Sequence, residues 1–139
     1  MFEALGRYRE HALGLLRIFA GFAFFPHGAQ KLFGWFDGRT ADLLSVLGLA
    51  GVLEFFGGLA ILLGLFTRPV AFVLAGEMAV AFFWRHLPQA FWPILNRGEL
   101  AVLYGFIFLY LATAGPGRWS LDGLLRRSEA GRVAESAAP

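Results

Sequence analysis

Four stretches of the chain are almost wholly apolar: Ala12 to Phe25, Leu43 to Phe66, Val70 to Trp84 and Leu100 to Ala114, each broken at most once by an ionisable residue. Extended through their semi-polar ends, all four approach the roughly 20 residues a helix needs to cross the hydrocarbon core of a bilayer. The runs are continuous and do not alternate strictly with polar residues, which excludes a closed barrel and leaves helices as the way to satisfy the backbone in lipid. The pattern therefore predicts an all-α, polytopic membrane protein, a four-transmembrane-helix bundle with helices over about 12–33, 42–66, 69–86 and 96–114. A single membrane domain over 1–124 and a basic, disordered cytoplasmic tail over 125–139 complete the expected organisation. Thr40 or Asp42 is the expected N-cap of the second helix, and Gly115-Pro116-Gly117 the stop of the fourth. The first helix follows Arg7 and Arg9 as the apolar core of a signal peptide does, but no small-x-small cleavage site follows it, so it is read as retained.

Composition sharpens the choice of solvent. Hydrophobic residues make up 58% of the chain and charged residues 16%, against roughly 25% charged in an ordinary soluble domain, so lipid is the medium this surface is built for. The chain has no cysteine, which removes disulfides, iron–sulfur ligation and thiol redox chemistry, and any redox role has to borrow a cofactor or a partner. The net charge of +2 resides largely in the tail arginines and favours anionic lipid headgroups over nucleic acid as a partner. Arg7, Arg9, Arg68, Arg118, Arg126, Arg127 and Arg132 share one side with both termini, while Lys31, Arg39, Arg85 and Arg97 flank the opposite loops. The positive-inside rule then places both termini in the cytoplasm.

The chemistry lies in the few groups that interrupt the apolar runs. Arg17, Glu54 and Glu77 form a candidate polar network: a lone carboxylate at mid-membrane is either protonated or paired, and Arg17 is an available partner for Glu54 or Glu77. An arginine near a helix end also snorkels readily, and an ion-pair network can serve only to fix helix register. Positions 17, 21, 24, 28 and 31 form one stripe of the first helix, on which Gly21 and Gly28 let a neighbouring helix approach closely. At the other end of that helix His27, Gln30, Lys31 and Trp35, facing His86 and Trp92 of the third connection and Glu99 of the fourth helix, make a candidate ligand-binding mouth. An aromatic interfacial belt with a snorkelling Lys31 is the competing reading, as is dipole complementation for Glu99. His27 and His86 lack the tight spacing of metal ligands, so no metal is assigned.

The set Arg17-x-x-x-Gly21, His27-Gly28-x-Gln30-Lys31-Leu32-Phe33-Gly34, Glu54-x-x-Gly57-Gly58, Gly76-Glu77-Met78, Asn96-x-Gly98-Glu99 and Gly115-Pro116-Gly117-x-x-Ser120-Leu121-Asp122 resembles the DoxX family of small four-helix bacterial inner-membrane proteins. The likeness covers roughly residues 12 to 122, with Arg97 standing where that family's pattern has a small residue. It implies a multi-pass protein of the bacterial inner membrane. It also implies a quinone-associated redox subunit, or an accessory of a membrane redox complex, since relatives include subunits similar to those of thiosulfate:quinone oxidoreductase. Quinone as cofactor and membrane or soluble redox proteins as partners enter through the resemblance alone. On that reading Phe33, Trp35, Phe91 and Trp92 are walls for a flat ring, His27, Gln30 and Lys31 are donors, and Glu99 exchanges a proton with His27. A non-enzymatic assembly or chaperone-like protein and a small-solute or proton pathway are the alternatives. Substrate, homo-oligomerisation and whether the chain is itself an enzyme stay open.

Overall fold

The structure, a computed structural model, describes residues 2–136. A 3-10 segment, Phe2–Tyr8, runs directly into α1 (Arg9–Phe33), which is followed by α2 (Val46–Leu63), α3 (Thr67–His86), the single turn α4 (Pro93–Asn96), α5 (Glu99–Ala114) and α6 (Leu121–Ser136). Among the described residues there is no strand. Three helices, Ala4–Phe33, Val46–Leu63 and Thr67–His86, are long and apolar enough to cross a membrane, and Glu99–Ala114 is a shorter apolar helix of 16 residues. At about 1.5 Å per residue that fourth helix covers roughly 24 Å, several ångström short of a ~30 Å hydrocarbon core.

α1 lies along α2, and α3 lies along α5, so the bundle is two tightly packed pairs joined face to face. The first pair is drawn together by glycine. A Cβ on Gly21 would meet the backbone of Gly58 and Leu62, and one on Gly28 would meet that of Gly51 and Phe55, which is the close approach expected from the α1 stripe. The second pair is filled by larger side chains: Leu74 and Met78 from α3 pack with Phe108 and Leu111 from α5 in one core with Phe24 of α1. Outside this core the usual distribution is inverted. Phe19, Phe22, Phe56, Phe72, Phe83 and Phe106 are exposed while Arg17, Glu54 and Asn96 are buried, as a protein solvated by hydrocarbon requires.

The start of α1 and the end of α5 share one end of the bundle, here the proximal end, where the Arg118 amide donates to the Glu10 carbonyl at 3.1 Å. The other end is the distal end. At the proximal end Asp122 accepts from the Phe66 and Thr67 amides at 2.8 and 2.9 Å, capping α3, and the Arg68 guanidinium donates to the carbonyls of Ala112, Thr113 and Ala114 that α5 leaves free where it stops.

Two boundaries differ from the sequence expectation. α2 begins at Val46, not near 42, because Asp42 accepts the Leu44 amide in a local turn and Ser45 Oγ accepts the Gly48 amide at 3.0 Å, making Ser45 the cap in place of Thr40 or Asp42. The tail from 125, expected to be disordered, is helical to Ser136; residues 137–139 lie outside the described residues. Ser120 Oγ accepts the Gly123 amide at 3.1 Å and starts a run rich in good helix formers, Leu124, Leu125, Arg126, Arg127, Glu129 and Ala130.

Candidate functional site

The candidate site grows from the α1 stripe. Pro26 interrupts the backbone ladder within α1, and the helix nevertheless continues for two turns, to Phe33, carrying His27 and Lys31 along the surface that faces α2 and α5. Across from Lys31, α2 widens into a π-helical turn over Leu53–Gly57 that contains Glu54. Extra residues in a turn of this kind rotate a side chain away from the position an α-helix would give it. Lys31 Nζ donates to Glu54 Oε2 in an ion pair whose side chains are 27% and 8% exposed, so lysine reaches into the bundle and does not snorkel out of it.

Two further helices close on this pair. Glu77 of α3 has both carboxyl oxygens buried, and neither makes a hydrogen bond. Tyr104 of α5 presents the edge of its ring to His27 with centroids 6.3 Å apart, stacks on Phe108 at 5.8 Å and touches Phe24 at 4.9 Å. The turn of α2 that holds Glu54 packs on α3 just below Glu77: a Cβ on Gly57 would stand 2.9 Å from Leu74 Cδ2. All four long helices thus bring one or more polar groups to a common interior region: His27 and Lys31 from α1, Glu54 from α2, Glu77 from α3 and Tyr104 from α5. An ion pair, a half-buried imidazole, a phenol and a carboxyl group with no partner form a set able to donate, accept and pass a proton in a medium that supplies no water of its own.

Arg17 does not belong to this set, which corrects the expected pairing with Glu54 or Glu77. Its guanidinium is fully buried and surrounded by five backbone carbonyls. Nε donates to Pro116 at 2.8 Å, Nη1 to Ile61 at 2.8 Å and Leu62 at 2.6 Å, and Nη2 to Arg118 at 3.2 Å and Trp119 at 2.8 Å. The reason is that α2 terminates one turn later at Gly64, in the left-handed region with φ 69°, and leaves carbonyls that need donors. A planar fork with five N–H groups meets that need on one side and, on the other, donates to the carbonyls of the non-helical strap after α5. Gly64 leaves the room: a Cβ there would stand 2.9 Å from Arg17 Cζ.

The expected mouth is also divided. Gln30 Nε2 donates to the Phe36 carbonyl at 3.3 Å and secures the first distal loop, while Trp35 is exposed and packs on Phe33 at 5.4 Å. His86 Nδ1 lies 3.0 Å from the Asn96 carbonyl, and buried Asn96 in turn donates to Ala90 at 2.7 Å and accepts from the Gly98 amide at 2.8 Å. His86 therefore fastens the second distal loop, and no hydrogen bond or ring contact joins it to His27 among the described residues. Trp92 packs on Phe91 at 5.2 Å beside α3 and α5, so the two aromatic pairs proposed as walls of one mouth stand at separate places. Glu99 is exposed in the first turn of α5, where its charge complements the helix dipole, and no hydrogen bond or ion pair joins it to His27 among the described residues. Among the described residues no three His, Asp or Glu side chains converge as metal ligands do. Tyr104 is the member of the cluster that the expected site lacks; Ala101, Tyr104, Phe108 and Leu111, spaced by three and four, are the stripe that carries it inward.

Fold and site together define a polytopic membrane protein with four apolar helices around a polar interior. Comparison with known proteins names the group: the DoxX family profile matches residues 12–87, more than half of the chain, and the chain belongs to the DoxX family. It is 41% identical over 125 residues to an uncharacterized protein of Haemophilus influenzae, covering 85% of this chain and 93% of that one. It is 32% identical over 120 residues to the inner membrane protein YqjF of Escherichia coli, covering 80% and 89%. An uncharacterized membrane protein of Mycobacterium tuberculosis is 32% identical over 132 residues, covering 81% and 80%. No solved structure matches the chain significantly.

Proposed function

We propose that this chain is a quinone-associated membrane redox subunit, or an accessory of such a complex, in which the interior cluster exchanges protons with a lipophilic carrier. The observation that carries the reading is Glu77, whose two buried oxygens have no hydrogen-bond partner beside the Lys31–Glu54 ion pair. A structural network satisfies its members, whereas a buried carboxyl left without a partner costs stability that a purely structural role does not repay. A quinone ring requires flat walls and donors at its two carbonyls. His27, Tyr104 and Glu77 would hold it, and the ring would supply the electron chemistry that a chain without cysteine lacks. Phe24 and Phe108 supply apolar wall beside them. The ion pair fixes the charge near the site, and Glu77 is the group free to take or give a proton.

The membrane in question is the bacterial inner membrane, in keeping with the printed name of the Escherichia coli relative, and both termini face the cytoplasm. In support, the arginine-rich segments flanking α1 and α5, with Arg7, Arg9 and Arg118, come together at the proximal end.

The test is binding of a short-chain quinone to the purified protein in nanodiscs, followed by the change in quinone absorbance. We expect saturable binding, weakened about tenfold or more in Glu77→Gln and His27→Ala while both variants retain the parent's melting temperature or exceed it. Absence of binding at every concentration below the quinone's solubility limit would move the assignment to an assembly protein with no carrier site.

A further inference from the structure

On the outside of the bundle, between α3 and α5, lies an apolar groove of about 760 Å³. Phe72, Phe83 and Phe106 are among its walls, Gly76 and Gly105 form part of its floor, and Trp92 stands at its distal limit. The floor has been kept open: nothing lies within 4 Å of where a Cβ on Gly76 would stand, and only Met78 Cβ, at 3.5 Å, approaches one on Gly105. Every residue lining the groove is apolar, so its occupant is a hydrocarbon along most of its length.

Charge at the distal end identifies the rest of the occupant. Arg85 falls in the chain between the groove residues Phe83 and Leu87, and Arg97 between Pro93 and Ala101. Both are exposed, and neither guanidinium makes a hydrogen bond or ion pair among the described residues. A second copy of the chain seated here symmetrically would bring four such arginines together against only the two exposed Glu99 carboxylates at the starts of the two α5 helices, an excess of like charge that disfavours it. An uncharged headgroup leaves both guanidiniums unused. An anionic phosphate at headgroup level, with its chain running down the slot, matches both features. We infer that the groove between α3 and α5 is a binding site for an anionic phospholipid, one acyl chain lying over Gly76 and Gly105 and the phosphate held by Arg85 and Arg97. This site is separate from the interior cluster and does not depend on the quinone reading.

Native mass spectrometry of the full chain, released from vesicles of equal parts phosphatidylglycerol and phosphatidylcholine, tests the inference. The parent is expected to retain the anionic lipid about tenfold over the zwitterionic one, as two arginines at a headgroup allow. Arg85→Gln combined with Arg97→Asn, chosen because asparagine tolerates the positive φ of 59° at 97, should bring that ratio close to one. Gly76→Leu and, independently, Ala79→Leu fill the slot from its open floor and should remove retention of both lipids while leaving the melting temperature within a few degrees of the parent. Equal retention of the two lipids by the parent, or unchanged retention in both filled variants, overturns the proposal. So does a dimer of the parent that the filled variants lose, since a second copy would then be the occupant.

Discussion

Arg17 Nε donates to the carbonyl oxygen of Pro116 at 2.8 Å, joining residues 99 positions apart in the chain. Through this bond and the four beside it, one side chain of the first helix holds the end of the second helix and the strap that follows the last one. The bundle is closed at its proximal end by an arginine acting on backbone carbonyls, with no carboxylate needed at the guanidinium.

Arg17→Ala should therefore destabilise the protein by at least about 3 kcal/mol, because several buried carbonyls lose their donors together. Arg17→Lys should recover little, since an ammonium group cannot reach carbonyls on both sides of the fork. Adding Glu54→Gln or Glu77→Gln to Arg17→Ala should bring no rescue. Thermal unfolding in detergent measures all four, and rescue by either glutamine would restore the ion-pair account.

Lys31 and Glu54 should behave as a coupled pair. Lys31→Met leaves a buried carboxylate alone and is expected to cost about 3–5 kcal/mol, whereas Lys31→Met with Glu54→Gln should recover most of that loss. A double-mutant cycle on unfolding reads the coupling directly. A coupling energy near zero would mean that the lysine spends its time at the membrane surface.

Gly28→Val should separate α1 from α2, because the added carbons meet the backbone of Gly51 and Phe55 and not a movable side-chain tip. The expected cost is about 2 kcal/mol or more. Disulfide trapping between cysteines introduced on the two helices provides the measurement: the pair should cross-link more slowly in Gly28→Val than in the parent.

Topology is accessible because the chain carries no cysteine of its own. Single cysteines at Arg39 and Gln89, both exposed in distal loops, should react in intact cells with an impermeant thiol reagent, and one at Ser128 should not. Arg39 is preferred to Gly38, where a Cβ would crowd the Gln30 side chain at 2.7 Å. Labelling at Ser128 from outside reverses the orientation.

What the sequence determined by itself was whatever depends on the chain's transfer into lipid. Four apolar runs without alternation specified helices in a membrane, and the glycines at 21 and 28 specified a face where another helix comes close, since both properties follow from local composition and helical period. Glu54 was legible as a buried group requiring a partner, but its partner was not: Lys31 and Arg17 share one stripe, and only the depth at which α2 crosses α1 decides which of them meets the carboxylate. Arg17 found carbonyls because α2 ends at Gly64 beside the strap at Pro116, a coincidence of two chain breaks that no local pattern encodes. Likewise His86, Gln30 and Glu99 carry the residue types of a binding mouth, yet two of them tie loops and the third lies exposed at a helix start. Glu77 and Tyr104 became parts of one interior region only when α3 and α5 packed against α1 and α2. A hydropathy pattern records which residues leave water; which polar groups then meet is settled by helix ends and crossings, where the unpaired backbone groups lie.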